Sequence, residues 1–147
     1  MAYFGEDRPM RDEDWEEFGG LFTKKEFMCK CGMCGEDSAN YMRHDYMQSL
    51  YILRLRCNFP FIITSGYRCT QHPKEKIKAL EGRPYGDHNK GTATDVACYG
   101  LRARKLTSMS LGVFNVCGVQ QKGPFKGRFL HLAVRDKGVG DYFYSYP

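Results

Sequence analysis

The sequence contains no long run of apolar residues. Its longest apolar stretches are short ones such as 59–63, whereas a membrane-spanning helix needs about 20 such residues. The first eleven residues have no apolar centre, so they lack the pattern of a secretory signal peptide. Internal repeats and low-complexity segments are absent as well. We therefore expect a protein without a membrane partner, and its 147 residues suit one globular domain.

The two signs of charge are unevenly distributed. Residues 1–20 hold seven acidic and two basic side chains, whereas residues 21–147 hold twenty basic and ten acidic ones. We therefore divide the chain into an acidic N-terminal arm, 1–20, and a basic domain, 21–147. A basic body favours anionic partners such as nucleic acid, teichoic acid or the carboxylates of cell-wall peptides, although a plain solvated surface explains the same pattern. No nucleic-acid-binding motif accompanies the charge, so we expect no nucleic-acid partner.

The hydrophobic pattern predicts helices mixed with short strands. Apolar residues recur at helical spacing over 39–57, with Ser38 as a candidate N-cap. Shorter helices are expected at 70–81 and 101–111, and strands at 59–64, 92–98, 114–120, 129–135 and 141–146. This mixture predicts an α+β fold with an antiparallel sheet and flanking helices. We expect the aromatic tail to complete the sheet rather than bind a sugar; it comprises Tyr142, Phe143, Tyr144 and Tyr146.

Two histidines and one aspartate give the strongest chemical signal. His88 lies in the loop GDHNKGTATD, Asp95 lies in the strand TATDVAC, and His131 lies in the strand FLHLAVR. Two imidazoles and one carboxylate are a common ligand set for catalytic zinc, with water as the fourth ligand. Strand alternation places His131 on one face of its strand and the apolar Leu130 and Leu132 on the other, so His131 points away from the core. The alternative is a satisfied histidine and an ordinary strand aspartate, because spacing alone does not show that the strands are adjacent.

Three motifs in order make the chain recognisable. SGYRC at 65–69, HNKGTATD at 88–95 and FLHLAVR at 129–135 together resemble the zinc D-alanyl-D-alanine peptidases. That superfamily includes phage endolysins and shares its fold with the hedgehog signalling domain. The resemblance covers about residues 20–147. Two residues before His88 the chain departs from the usual pattern, since Gly86 stands where the family has serine.

The resemblance implies a site and a mechanism. Zinc would be bound by His88, Asp95 and His131 and would activate a water molecule for attack on a carbonyl of a peptidoglycan stem peptide. A carboxylate would act as the general base. Arg68 would steady the substrate carbonyl or carboxylate; without the resemblance, SGYR is more typical of an ordinary surface turn.

The general base has no clear source in this sequence. Relatives usually place an aspartate two residues after the strand histidine, but Ala133 stands there. Positions that serve other relatives hold Arg128 and Phe129. The candidate substitutes, none at a matching position, are Asp87, Asp136 and His72. Three interpretations remain open: a weak or inactive peptidase that binds without cutting, an inactivating substitution in this chain, or a different residue as the base.

The chain holds seven cysteines. An odd number without a signal peptide argues against a full disulfide framework. Cys29, Cys31 and Cys34 form C-x-C-x2-C, which is weaker than two C-x2-C pairs but suits a second, structural zinc. The fourth ligand would be Cys69, with Cys57 and His72 as alternatives. The other explanation is that these cysteines are small turn and core residues.

These patterns lead to two functional expectations. The first is a zinc-dependent peptidase of peptidoglycan stem peptides, acting as a phage endolysin or a virion-associated wall hydrolase. The second is a catalytically impaired, peptidase-like protein with a structural or wall-binding role in a virion, which Ala133 favours. In that case the N-terminal arm would contact other virion proteins. The expected location is the host cytoplasm before lysis, or the virion.

Overall fold

The computed structural model describes residues 5–135 and 141–147. The helices are α1 (Lys24–Phe27), α2 (His44–Cys57), α3 (Pro73–Leu80) and α4 (Gly100–Ser110). The strands are β1 (Ile62–Ser65), β2 (Ala93–Ala97), β3 (Val116–Gln120), β4 (Phe129–Ala133) and β5 (Tyr142–Ser145). Short 3₁₀ helices cover Asp12–Phe18, Glu36–Tyr41 and Phe125–Gly127. Within these described ranges, no helix is long and apolar enough to cross a membrane.

The strands form one sheet in the order β1-β2-β4-β3-β5. The pairings β1–β2, β2–β4 and β4–β3 are antiparallel, whereas β5 runs parallel to β3. The predicted α+β fold is confirmed, with one correction: the sheet is mixed rather than wholly antiparallel. Side-chain alternation indicates which face of a strand is buried but carries no information on the direction of its neighbour. The aromatic tail forms the edge strand β5.

One face of the sheet carries the main core. In β4, Leu130 and Leu132 are fully buried on the face opposite His131, as the alternation predicts. Burial of each such leucine contributes about 1.5–3 kcal/mol. Helix α2 packs against the core face, where the Tyr46 hydroxyl donates a 2.7 Å hydrogen bond to the Leu132 carbonyl. The opposite face is therefore the one on which a site that includes His131 lies.

Helix α2 begins later than expected. The periodicity predicts one helix over 39–57, but the chain forms a 3₁₀ helix over Glu36–Tyr41 and α2 starts only at His44. Ser38, the expected N-cap, is instead buried, and its hydroxyl accepts a 2.9 Å hydrogen bond from the Cys29 amide. Ser38 therefore supports the cysteine-rich loop rather than the start of a helix.

The described part of the acidic N-terminal segment packs onto the rest of the chain. Its 3₁₀ helix buries Trp15 and Phe18. The Trp15 ring lies 5.6 Å from that of Phe27, and the Phe18 ring lies 5.7 Å from that of Phe22. Such aromatic pairs add roughly 0.5–1.5 kcal/mol each beyond their burial. The segment thus shares one hydrophobic core with the helices and strands that follow it.

Candidate metal centre

One row of residues crosses the sheet on the face opposite the core, and we call it the site row. From β1 to β5, the register partners in this row are Ser65, Asp95, His131, Gly118 and Tyr144. His88 reaches the row from the loop before β2. The ligand atoms of His88, Asp95 and His131 lie within 4.8 Å of one another. The structure therefore brings together the three residues that the sequence proposes as metal ligands.

The donor atoms of these residues face one another. Asp95 Oδ1 lies 2.9 Å from His131 Nδ1 and 3.3 Å from His88 Nε2. His88 Nδ1 lies 2.8 Å from the Gly66 carbonyl oxygen, which can only accept, so Nδ1 carries the proton and Nε2 presents its lone pair. That lone pair faces a carboxylate oxygen, and a cation between the two acceptors would satisfy both. Two imidazoles and one carboxylate fit zinc.

Electrostatics at the site favour deprotonated ligands. Burial raises the pKa of Asp95, but the adjacent imidazoles of His131 and His88 outweigh this effect and hold the pKa well below its usual value. Burial lowers the pKa of His88, and the neighbouring Asp95 carboxylate offsets only part of that decrease. At neutral pH both groups are therefore in the form that metal binding requires.

Arg68 lies beside the candidate ligands and is 7% exposed. Its Nη2 lies 3.2 Å from Asp95 Oδ2, and its Nε donates a 3.0 Å hydrogen bond to the Ser65 hydroxyl. Its backbone amide donates to the His88 carbonyl at 3.2 Å. The two oxygens of Asp95 therefore have different neighbours, because Oδ1 faces the imidazoles and Oδ2 faces the guanidinium. The SGYR turn thus lies against the candidate ligands, with the Arg68 side chain buried beside them.

A glycine fixes the loop that carries His88. Gly91 has a φ of +75°, and a Cβ there would come within 2.1 Å of the Tyr41 carbonyl oxygen. The Gly91 carbonyl also accepts a 3.0 Å hydrogen bond from the Arg43 amide. Any other residue would push the loop away from the start of α2. The close contact with Tyr41 therefore explains why a glycine stands three residues after His88.

A cavity of about 280 Å³ adjoins the ligands. Asp87 is buried in its wall, but Arg135 Nε donates a 2.8 Å hydrogen bond to Asp87 Oδ2. His72 is not among the residues that line this cavity; it caps α3, where its Nδ1 accepts the Lys74 amide at 3.2 Å. Asp136 lies outside the described residues. Of the three candidate bases, the structure thus places Asp87 in the cavity wall.

Ala133 is fully buried on the same face as His131. Its register partners are Ala93 and Val116. These three residues form a small apolar cluster against which Tyr144 packs. A methyl group cannot accept or donate a proton, so position 133 supplies no acid–base group to the neighbouring candidate site.

Tyr144 is a cavity residue that the sequence did not single out for chemistry. A Cβ on Gly118 would come within 2.7 Å of the Tyr144 hydroxyl oxygen. Because Gly118 is the register partner of His131, the missing side chain lets the hydroxyl end of Tyr144 lie in the cavity beside the ligands. The available sequence signal was a glycine inside a strand, which often marks a close approach.

Glu75 is a second residue that the sequence did not reveal. It is 0% exposed, and its carboxylate accepts the Gly86 amide at 3.0 Å and binds Lys78 Nζ at 3.1 Å. Glu75 therefore ties α3 to the start of the loop that carries His88. Alternating charges on a short helix are typical of a solvated face, so the sequence PKEKIKAL gave no sign of this buried contact.

Four cysteines form a second cluster of metal-ligating groups. The sulfur atoms of Cys29, Cys31, Cys34 and Cys69 lie within 4.8 Å of one another. Cys57 instead contacts Met109 in the core, with 3.7 Å between their sulfur atoms. Among the three candidates for the fourth position, the structure thus brings Cys69 to the cluster.

Comparison with protein-family models gives one finding that bears on identity. Residues 21–132 match the model for peptidase M15. The matched range contains the cysteine cluster, Arg68 and the three candidate ligands, and it ends one residue before Ala133. Comparison with curated proteins finds no match. Peptidases of this family are generally zinc-dependent, which agrees with the donor set. Because the match extends over most of the chain, the protein belongs to the peptidase M15 family, whose members are metallopeptidases.

Proposed function

We propose that this protein is a zinc-dependent peptidase that cleaves the stem peptides of bacterial peptidoglycan. The observation that carries the proposal is the convergence of His88, Asp95 and His131 beside a cavity. Zinc held by these side chains would lower the pKa of a bound water toward neutrality and polarise the scissile carbonyl.

The residues around the ligands have supporting roles. The Gly66 carbonyl holds the proton of His88 on Nδ1, which leaves Nε2 available as a ligand atom. The guanidinium of Arg68 holds Asp95 Oδ2, so that Oδ1 faces both imidazoles. These contacts orient the donor atoms before any metal binds, and such preorganisation raises metal affinity.

The charge of the cavity wall supports an anionic substrate. Four basic and two acidic side chains line the cavity, so its wall carries a net positive charge; they are Arg68, Lys74, Lys78 and Arg135, with Asp87 and Asp95. Peptidoglycan stem peptides carry free carboxylates, and lysine and arginine bind such groups by charge-assisted hydrogen bonds. Two of the cations come from α3, which Glu75 fastens to the His88 loop. We therefore assign α3 to the binding of the substrate carboxylates.

Proton transfer requires a group other than residue 133. We assign the role of general base to Asp87, whose buried carboxylate lies in the cavity wall. The Tyr144 hydroxyl lies in the same wall and can donate a hydrogen bond to the oxygen on which negative charge develops. Both groups line the cavity, which supports these assignments.

The setting that fits this activity is a bacteriophage. The resemblance to phage endolysins supports either a lysis protein in the host cytoplasm or a wall hydrolase carried in the virion. The two settings differ in when the enzyme meets peptidoglycan, and the chemistry proposed for the site is the same in both.

A second candidate function rests on Ala133. A chain that keeps the metal ligands but lacks the usual acid can bind cell-wall peptides without cutting them. In this alternative the protein is a structural or wall-binding component of a virion. Its exposed acidic N-terminal residues would then contact other virion proteins; these residues include Glu13, Glu16 and Glu17.

Mass spectrometry of digested peptidoglycan separates the two functions. Purified peptidoglycan of two wall types would be incubated with the zinc-loaded protein, with a chelated sample and with the variants His131→Ala and Lys105→Ala. Lys105 is an exposed residue of α4, so Lys105→Ala serves as the matched control. We expect new peptide ends that require zinc, disappear in His131→Ala and persist in Lys105→Ala. If zinc-loaded protein sediments with peptidoglycan but releases no peptides, the peptidase is excluded in favour of the wall-binding function.

A further inference from the structure

The cysteine cluster joins two separate parts of the chain. Cys29, Cys31 and Cys34 lie in the loop between α1 and the 3₁₀ helix Glu36–Tyr41. Cys69 lies beyond β1, directly after Arg68. The four sulfur atoms nevertheless lie within 4.8 Å of one another. Segments this far apart in sequence meet at one point, which is the usual architecture of a structural metal site.

The spacing of the sulfur atoms suits a tetrahedral ion. Four thiolates at about 2.3 Å from one zinc lie roughly 3.8 Å from each other. The observed group needs only small side-chain adjustments to reach this geometry. Thiolate sulfur also selects zinc over magnesium or calcium, which prefer oxygen ligands.

Backbone amides point at the sulfur atoms. The Cys69 amide lies 3.2 Å from Cys29 Sγ, and the Met33 amide lies 3.4 Å from Cys31 Sγ. Such N–H groups stabilise the negative charge of thiolates that surround a metal. The first of these bonds also joins the two segments directly, so the backbone already holds the cluster together.

We propose that Cys29, Cys31, Cys34 and Cys69 bind a structural zinc ion, separate from the candidate catalytic metal. This ion would fasten the loop after α1 to the end of the SGYRC segment. Because Cys69 directly follows Arg68, the ion would also hold the guanidinium against Asp95. The proposal does not depend on peptidase activity, since a wall-binding protein with this fold would need the same fastening.

The metal content of purified, reduced protein tests the proposal. We expect about two zinc ions per chain, one for each cluster, and about one in the variant Cys34→Ser. The exposed neighbour Met33, at 84% exposure, provides the control Met33→Ala, which should keep both ions. Far-ultraviolet circular dichroism would show that each variant is folded. A wild-type protein that holds no zinc, or a zinc content that Cys34→Ser leaves unchanged, would overturn the proposal.

A second measurement does not depend on the folding of a cysteine variant. In His131→Ala the imidazole site is incomplete, so the remaining zinc should reside in the cysteine cluster. X-ray absorption at the zinc edge should then show sulfur ligands alone, at about 2.3 Å. Nitrogen or oxygen ligands, or an intact mass that reveals disulfides among the four cysteines, would contradict the assignment.

Discussion

Asp95 and His131 lie directly opposite each other in the adjacent antiparallel strands β2 and β4, with 2.9 Å between Oδ1 and Nδ1. The backbone hydrogen bonds between β2 and β4 therefore fix the positions of these two candidate ligands without help from loops. The third ligand, His88, comes from a loop that Gly91 and Glu75 hold in place. Sites built on strands are more precise than sites on loops, so we expect this site to keep its geometry when the metal is removed from it.

Replacing Asp95 by asparagine should weaken zinc binding at the imidazole site. Loss of a hydrogen-bond partner of a ligand typically lowers metal affinity about 10–100-fold, and loss of a charged ligand should lower it further. Cobalt substitution would resolve this site from the cysteine cluster, because only thiolate ligands give the sulfur-to-cobalt charge-transfer band. Unchanged affinity in Asp95→Asn would show that the metal, if bound, does not use this carboxylate.

The stability of the metal-free protein should fall as the pH drops below about 6.5, the pKa of histidine in an unfolded chain. Burial lowers the pKa of His88 in the folded protein, so the unfolded chain takes up a proton first and gains stability relative to the folded state. The free energy of unfolding should decrease by at most ~1.4 kcal/mol per pH unit for this proton, until the lower folded-state pKa is reached. Urea denaturation at several pH values would measure the slope.

The variant His88→Gln provides the matched control for this pH dependence. Glutamine cannot take up the proton, so the slope below pH ~6.5 should be smaller than in the parent protein. Burial lowers the pKa of His72 as well, and this residue should account for part of any slope that remains. Equal slopes in both proteins would mean that His88 does not cause the effect.

Introducing an acid at position 133 should raise peptidase activity. Position 133 lies on the same face as His131, and general acid–base catalysis typically contributes 10²–10⁴-fold. Peptidoglycan digestion by Ala133→Asp would be compared with Ala133→Asn, which has a similar shape but transfers no proton. An increase confined to the aspartate variant would identify Ala133 as the cause of a weak parent activity. If folded, zinc-loaded Ala133→Asp shows no increase, then Ala133 does not limit the activity of the parent protein.

Removing the Tyr144 hydroxyl should reduce turnover more than substrate binding. The phenyl ring of Tyr144→Phe would keep its place over Gly118, so the fold should be preserved. Loss of one donor to a developing oxyanion typically lowers kcat by about 10²–10³-fold. Steady-state kinetics on a synthetic stem peptide would separate kcat from KM. A raised KM with unchanged kcat would instead assign Tyr144 to substrate binding.

The sequence predicted the fold, and which residues converge at the candidate site, better than it predicted the contacts around them. Strand alternation placed His131 and Leu132 on opposite faces correctly, because a two-residue period leaves few alternatives. The late start of α2 was missed because Ser38 forms local bonds that compete with helix capping. Glu75 and Tyr144 were missed because each contacts residues that are distant in sequence, Gly86 and Gly118, and such contacts leave no local sequence pattern.

The sequence also did not predict the direction of the edge strand β5 or which residue completes the cysteine cluster. The tail 141–146 was correctly expected to form a strand, but its parallel alignment with β3 depends on the path of the intervening chain. The fourth member of the cysteine cluster was likewise open among three residues. Cys69 meets the loop 29–34 because β1 returns the chain to α1, where the Tyr67 amide donates to the Phe27 carbonyl.

The edge strand β5 gives the cavity a wall that contains none of the candidate metal ligands. Tyr144 and Tyr146 line the cavity from a segment that lies beyond the matched family range. Substitutions in these last residues would change the shape of the space without altering a ligand, the turn that holds Arg68 or the core face of the sheet. A change in the C-terminal strand alone can therefore alter which molecules the cavity admits while the candidate metal centre stays the same.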